Sequence, residues 1–104
     1  MVLYIMKWDI HPDKLEAYQK WTGGAVKRLL AVPGVVEFRA YRTAIGASRV
    51  VVTYEFADLS TWAAWQANEE TQKVRDELDT LALNVTSELW GPSPVVAAPI
   101  RPGK

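Results

Sequence analysis

Residues 34–56 read GVVEFRAYRTAIGASRVVVTYEF. Two runs rich in β-branched and aromatic residues, GVVEFRAYRT and SRVVVTYEF, flank the short segment AIGA. Gly46 can take the positive φ that a tight reversal needs, so the stretch predicts an antiparallel hairpin. Neither of its faces is cleanly polar. Val36, Phe38 and Ala40 lie opposite Val35 and Tyr41, and Val50, Val52, Tyr54 and Phe56 lie opposite Val51. Glu37, Arg39, Thr53 and Glu55 interleave with them.

Working outward, the segment VLYIMKWD (residues 2–9) lacks helical periodicity and is rich in strand formers. Val2, Tyr4, Met6 and Trp8 point one way, and Leu3, Ile5 and Lys7 the other. Apolar residues on both faces predict a central strand. Between it and the hairpin lies HPDKLEAYQKWTGGAVKRLLAV, residues 11–32. Here Asp13 can cap a helix with Glu16 as reciprocal partner. Leu15, Tyr18, Thr22, Ala25, Val26 and Leu29 then recur at helical spacing. Gly23-Gly24 costs about 1 kcal/mol per Gly relative to Ala, which predicts a kink or a loosened turn. Pro33-Gly34 ends the helix.

After the hairpin, Asp58 or Ser60 caps a second helix. Leu59, Trp62 and Trp65 share one of its faces. It breaks near Asn68 and resumes with Val74, Leu78 and Leu81. NVTSELW, residues 84–90, predicts a fourth strand, stopped by Pro92 and Pro94. The order β-α-β-β-α-β is the split βαβ, ferredoxin-like arrangement of the α+β class: one four-stranded antiparallel sheet with both helices on one side. The domain spans residues 1–91. Residues 92–104 form an extended, Pro-rich tail, read either as a free end or as an arm on a partner subunit. The half-apolar sheet face left over predicts packing against a second sheet.

The composition narrows the function. With 104 residues the chain suits one domain. Its 12 Lys plus Arg balance 12 Asp plus Glu, and the basic residues are scattered, which argues against nucleic-acid binding. The absence of cysteine removes disulfide, thiolate and iron–sulfur chemistry, and one histidine makes a His-based metal site unfavourable within a protomer. No apolar run reaches the roughly 20 residues of a membrane helix, and no signal peptide is visible. A cytoplasmic location is expected.

Three stretches resemble a known family: WDIHPDKLEAYQKW after the first strand, VPGVVEFRAYRT entering the second, and VVTYEFADLSTWAAWQANEETQKV across the third strand and second helix. They resemble the dimeric α+β barrel superfamily, and within it the antibiotic-biosynthesis-monooxygenase-like group, from Val2 to about Pro92. The resemblance implies a homodimer whose sheets pack face to face, with a pocket between each sheet and its helices. It also implies a cofactor-free monooxygenase, or alternatively a non-catalytic small-molecule binding or stress-response module. An isomerase-like relative would need a paired acid and base, and no such pair can be placed. The haem-degrading branch uses an asparagine on the first strand, a tryptophan on the second helix and a histidine beyond it. Trp65 matches the tryptophan, but Arg75 stands where the histidine would be, and YIMKWD carries no asparagine, so haem degradation is not expected.

Cofactor-free oxygenation asks the protein for a dry pocket, flat walls and a base or hydrogen-bond donors, because an electron-rich phenolate can itself pass an electron to oxygen. Many members of the group carry histidines in the second-helix stretch, where AAWQANEE has none. His11, Glu55 and Tyr41 are the remaining candidate catalytic groups, with Glu37 a further carboxylate. His11 reads more readily as a turn residue, and Arg39, flanked by Glu37 on its own strand and by Glu55 across the sheet, reads as part of a cross-strand ion pair at a dimer interface rather than as an anion-binding group. Five tryptophans are many for this length. Trp62 is expected to fill the core. Trp65, Trp21 and Tyr41 are expected as walls of a pocket for a small planar aromatic molecule, with Arg39, Asn68 or His11 as polar anchors. Asn68 reads alternatively as a helix cap.

Overall fold

The hairpin forms as β2 (Val35–Arg42) and β3 (Val50–Phe56) of a four-stranded sheet. It is preceded by β1 (Val2–Ile10), a 3-10 turn (Pro12–Lys14) and α1 (Leu15–Ala31), and followed by α2 (Leu59–Ala67), α3 (Glu69–Asp79) and β4 (Ala82–Trp90). The computed structural model describes residues 1–46 and 49–103. Ala47 of the turn, Ser48 at the expected start of β3, and Lys104 of the tail lie outside the described residues. The strand order is β2-β3-β1-β4, every neighbouring pair antiparallel, so the arrangement is ferredoxin-like. β1 is central, as its two apolar faces require.

Register decides which side chains face the helices. Tyr4, Met6 and Trp8 pair with Tyr54, Val52 and Val50, and Phe38 and Ala40 continue that face on β2. With Phe56, which is 0% exposed, and with Tyr18, Trp65 and Leu78 from the helices, all of these but the exposed Ala40 form the core or pack against it. The opposite face carries Leu3, Ile5 and Lys7 beside Glu55, Thr53 and Val51, with Tyr41 and Trp90 at its flanks. Ile5 is buried there, whereas Tyr41 and Trp90 are 50% and 51% exposed. Among the described residues, no helix covers this face.

Local chemistry explains the element ends, with two corrections. First, Asp13 does not cap α1. The His11 Nδ1 accepts from the Asp13 N–H at 3.1 Å and opens the 3-10 turn instead, while Lys14, the residue before α1, makes no side-chain cap. Pro12 at the first position of that turn favours the short 3-10 start, its φ being preset and its N–H not required. Second, Gly23-Gly24 does not break α1, which runs unbroken from Leu15 to Ala31. Both glycines are exposed and have open space around them, so the helix bears only their propensity cost. Asp58 caps α2 by accepting from the Thr61 N–H at 2.8 Å and from the Ser60 and Thr61 hydroxyls. These three bonds, that of the Thr61 hydroxyl foremost, hold the Asp58 carboxyl below the usual carboxylate range. The helix breaks at Asn68, whose side chain accepts from the Glu70 N–H at 2.9 Å and caps α3. Gly34 links α1 to β2 at φ 125°, with its Cα hydrogen facing Thr61. β4 starts at Ala82, two residues ahead of the expected stretch. Residues 91–103 form no regular element.

Candidate functional site

Between the inner sheet face and the helices lies a cavity of about 660 Å³. Its walls are mainly aromatic. Tyr4, Phe38 and Tyr54 rise from the strands, Tyr18 and Trp21 come from α1, and Trp62 and Trp65 from α2. The rings brace one another: Tyr54 and Trp65 centroids are 4.9 Å apart, Phe38 and Tyr54 5.0 Å, and Tyr4 and Trp62 5.7 Å. Such tilted packing fixes ring orientation as well as burying area. Ala25, Ala40, Ala63 and Ala67 lie on the same lining, and their small side chains leave the volume open.

Hydrogen bonds set the orientation of three lining tryptophans, the first being Trp8, whose indole N–H donates to the Tyr18 hydroxyl at 3.2 Å. The Trp21 indole N–H donates to Glu77 Oε1 at 2.7 Å. Glu77 in turn accepts two bonds from the Arg28 guanidinium, at 2.7 and 2.9 Å, and Arg28 also donates to Glu70. This fork ties α1 to α3. Arg28, helped by the Trp21 N–H, lowers the Glu77 carboxyl to about 2. Trp65 donates to the Leu29 carbonyl at 3.1 Å. That carbonyl belongs to the last turn of α1, and the residue four positions on is Pro33, which has no N–H to offer. The indole therefore takes the place of a missing backbone donor. Burial raises the Tyr54 hydroxyl far above its ordinary value, so Tyr54 stays neutral in the wall.

Of the residues singled out from sequence, the structure brings Trp21, Trp62 and Trp65 to this cavity. The two α2 tryptophans exchange the characters expected of them. Trp65 is 2% exposed with its N–H engaged, and Trp62 is only partly buried with its N–H unpartnered. His11, Glu55, Tyr41, Asn68 and Arg39 are not on the lining. Strand alternation places Glu37, Arg39, Tyr41 and Glu55 on the opposite face. There Arg39 pairs with Glu37 at 2.6 Å, and Tyr41 borders a shallower hollow of about 560 Å³ with Ile45 and Trp90. His11 and Asn68 are engaged as the caps described above.

Sequence reasoning missed the polar part of the cavity. Thr71 and Arg75 line it from α3, one turn apart on the face that also carries Val74 and Leu78. The Thr71 Oγ1, the Arg75 Nε and the Trp62 Nε1 are buried without a hydrogen-bond partner. The available signal was a threonine and an arginine on an otherwise apolar helical stripe. Among the described residues, the carboxylate on the lining is Asp76, which is exposed.

The antibiotic biosynthesis monooxygenase family matches residues 1–77. The chain belongs to this family. Antibiotic biosynthesis monooxygenase-family membership accords with the solved structures of similar fold. One is a dabb family protein with a ferredoxin-like fold from Mesorhizobium loti, at TM-score 0.78 and 18% identity, covering 88% of this chain and 96% of that one. SnoaB, a cofactor-independent oxygenase from Streptomyces nogalater, aligns at TM-score 0.70 and 14% identity over 88% of this chain and 92% of its own. A dimeric ferredoxin-like protein of unknown function from Thermobifida fusca aligns at TM-score 0.72 and 11% identity over 86% and 88%. No curated protein matches the chain. Among the described residues, no helix is long and apolar enough to cross a membrane.

Proposed function

We propose that the protein is a cofactor-independent monooxygenase that binds a small, planar, electron-rich aromatic molecule in the cavity beneath its helices. The observation that carries this reading is the cavity itself, about 660 Å³ bounded chiefly by aromatic rings. That size lies within the range of sites that enclose drug-sized ligands. Flat walls hold a flat substrate, and their low polarity keeps water from the reacting ring. The substrate supplies the electrons. Loss of its acidic proton gives an anion that reduces O₂. Overall a ring methylene becomes a carbonyl, with one oxygen atom retained and the other released as water. The protein's share is binding, orientation and control of the substrate proton.

The working unit in this proposal is a homodimer. The sheet face bearing Leu3, Ile5, Tyr41, Val51 and Trp90 has no covering layer among the described residues and suits a second copy of itself. The tail, with Val95 and Ile100 at 89% and 79% exposure, would lie as an arm on the partner.

Incubation with anthrones, naphthols and quinols under oxygen tests the function, with oxygen uptake and tryptophan fluorescence followed together. Quenching accompanied by stoichiometric oxygen uptake is expected. Quenching without uptake across the panel would leave a binding protein and remove the oxygenase.

A further inference from the structure

The cavity lining is largely apolar, though Thr22, Gln66, Gln72 and Asp76 also border it. Three hydrogen-bonding atoms on its lining residues are buried and make no hydrogen bond: Thr71 Oγ1, Arg75 Nε and Trp62 Nε1. Thr71 as a whole is 4% exposed. Each such atom costs free energy unless something pairs with it. All three can donate, and two of the three have no acceptor capacity. Thr71 and Arg75 follow each other at i, i+4 on α3 and so share one flank of the helix.

We infer that Thr71 and Arg75, with the Trp62 N–H as a further donor, hold the ionised oxygen of a phenolic ligand. The inference rests on the cavity reading above and supplies what that reading lacks. The buried lining contains no imidazole or carboxylate to act as a base. A guanidinium and a hydroxyl aimed at the phenol oxygen make a base unnecessary, because they favour the anion over the neutral phenol. The O–H bond breaks, its electron pair stays on the oxygen, and the proton leaves to solvent water. The phenolate thus bound is the species that can reduce oxygen.

The surrounding charges are compatible with this role. Arg75 Nε forms an i,i+4 ion pair with the exposed Asp79 carboxylate at 3.7 Å, a loose, solvent-screened contact beyond hydrogen-bond distance that leaves the guanidinium able to take a second anion. Asp76, next to Arg75 in sequence, points about 100° round the helix and is also exposed. Glu70 and Glu77, elsewhere on α3, are held by Arg28. The ionisable groups on the lining from other elements are the phenols of Tyr4, Tyr18 and Tyr54. In the unliganded chain the three donor atoms are shielded from solvent, so a ligand oxygen reaches them as the side chains turn. That turn breaks no existing hydrogen bond and loosens only the exposed Arg75–Asp79 ion pair.

The test uses 4-nitro-1-naphthol, whose phenolate absorbs visible light, alongside its methyl ether and the full-length protein. The expected result is an apparent pKa for the bound naphthol lowered by about 1–3 units, as for an acid beside an opposite charge. The ether should bind at least about tenfold more weakly at neutral pH. Arg75→Met and Thr71→Val should each shrink the shift, while Arg75→Lys and Thr71→Ser, which keep charge and hydroxyl, should retain most of it. Melting curves would confirm that each variant is folded. Equal binding of naphthol and ether with an unmoved pKa would overturn the inference while leaving the cavity reading intact. A shift that survives in both Arg75→Met and Thr71→Val would overturn the residue assignment. Failure of both probes to bind would remove the inference and the cavity reading together.

Discussion

Trp65→Phe separates the two tryptophans of α2 by the hydrogen bonds they make. Trp65 is 2% exposed, its ring lies 4.9 Å from that of Tyr54 and 5.2 Å from that of Phe56, and its N–H donates to the Leu29 carbonyl. Phenylalanine keeps much of the ring contact and loses the donor. Because Pro33 has no N–H, the orphaned carbonyl finds no replacement in the chain, at a cost of about 1–3 kcal/mol. The smaller ring leaves a void on the order of 40 Å³, adding about 1 kcal/mol at ~24 cal/mol per Å³. The total is about 2–4 kcal/mol. At ~4–8 °C per kcal/mol for a domain of this size, the melting temperature falls by roughly 8–32 °C. Trp62→Phe leaves a void of similar size but removes an indole N–H that has no partner. Loss of that desolvated donor offsets the void, and the net change stays within about 1 kcal/mol. Thermal and urea unfolding at one fixed protein concentration measures both, since the proposed dimerisation would make apparent stability concentration-dependent. If Trp62→Phe proved as damaging as Trp65→Phe, the claim that Trp65 caps the end of α1 would fail.

Acid should weaken the α1–α3 fork. Glu77 has its folded value lowered from 4.5 to about 2, so its contribution is complete above 4.5 and is lost as pH falls towards 2. Wild-type stability should drop across that interval more steeply than that of Glu77→Gln, as read by urea unfolding at a series of pH values. Equal slopes would show that Glu77 is not linked to folding. The glycines should divide by location. Gly23→Ala or Gly24→Ala, in open helical positions, should raise stability by about 0.5–1 kcal/mol. Gly34→Ala, at φ 125° with its new Cβ 3.0 Å from Thr61 Cγ2, should lower it by about 1–3 kcal/mol. Calorimetry gives the signs, and a stabilising Gly34→Ala would contradict the described path into β2. Trp90→Glu combined with Tyr41→Glu should halve the mass seen by sedimentation equilibrium. An unchanged mass would move the dimer interface off this sheet face.

The architecture was legible because its signals are local and mutually consistent. Alternating apolar residues in 2–9 and 34–56, a proline-glycine stop at 33–34 and an asparagine at the helix break each specify one boundary by near-neighbour chemistry. The site was less legible, for a geometric reason. Arg39, Tyr41 and Glu55 carry the chemistry a reader looks for, yet which side of the sheet they take depends on which side the helices cover. Sequence gave no clean answer there because both faces are half apolar. Once Tyr4, Phe38 and Tyr54 are fixed inward, period-two alternation turns those three polar residues outward. The roles of Trp62 and Trp65 were similarly out of reach. Their contrast depends on the Leu29 carbonyl, 36 residues from Trp65 in sequence.

What separates this cavity from a packing flaw is its price in unpaired polar atoms. A void lined only by hydrocarbon loses dispersion contacts and nothing else. Here Thr71 and Trp62 also leave buried hydrogen-bonding atoms unused, at about 1–3 kcal/mol for each, and Arg75 Nε, on a half-buried side chain loosely paired with Asp79, adds a smaller cost. A domain of about 100 residues holds only ~5–15 kcal/mol of net stability, so such groups weigh heavily. Valine at position 71 would fit the same space without an orphaned hydroxyl, and the neighbouring Val74 and Leu78 already belong to the buried stripe. The polar residues therefore make sense as groups whose partner arrives with the ligand. On the proposed reading, binding would recover what folding left unsatisfied, most fully for a ligand that brings an anionic oxygen attached to a flat ring.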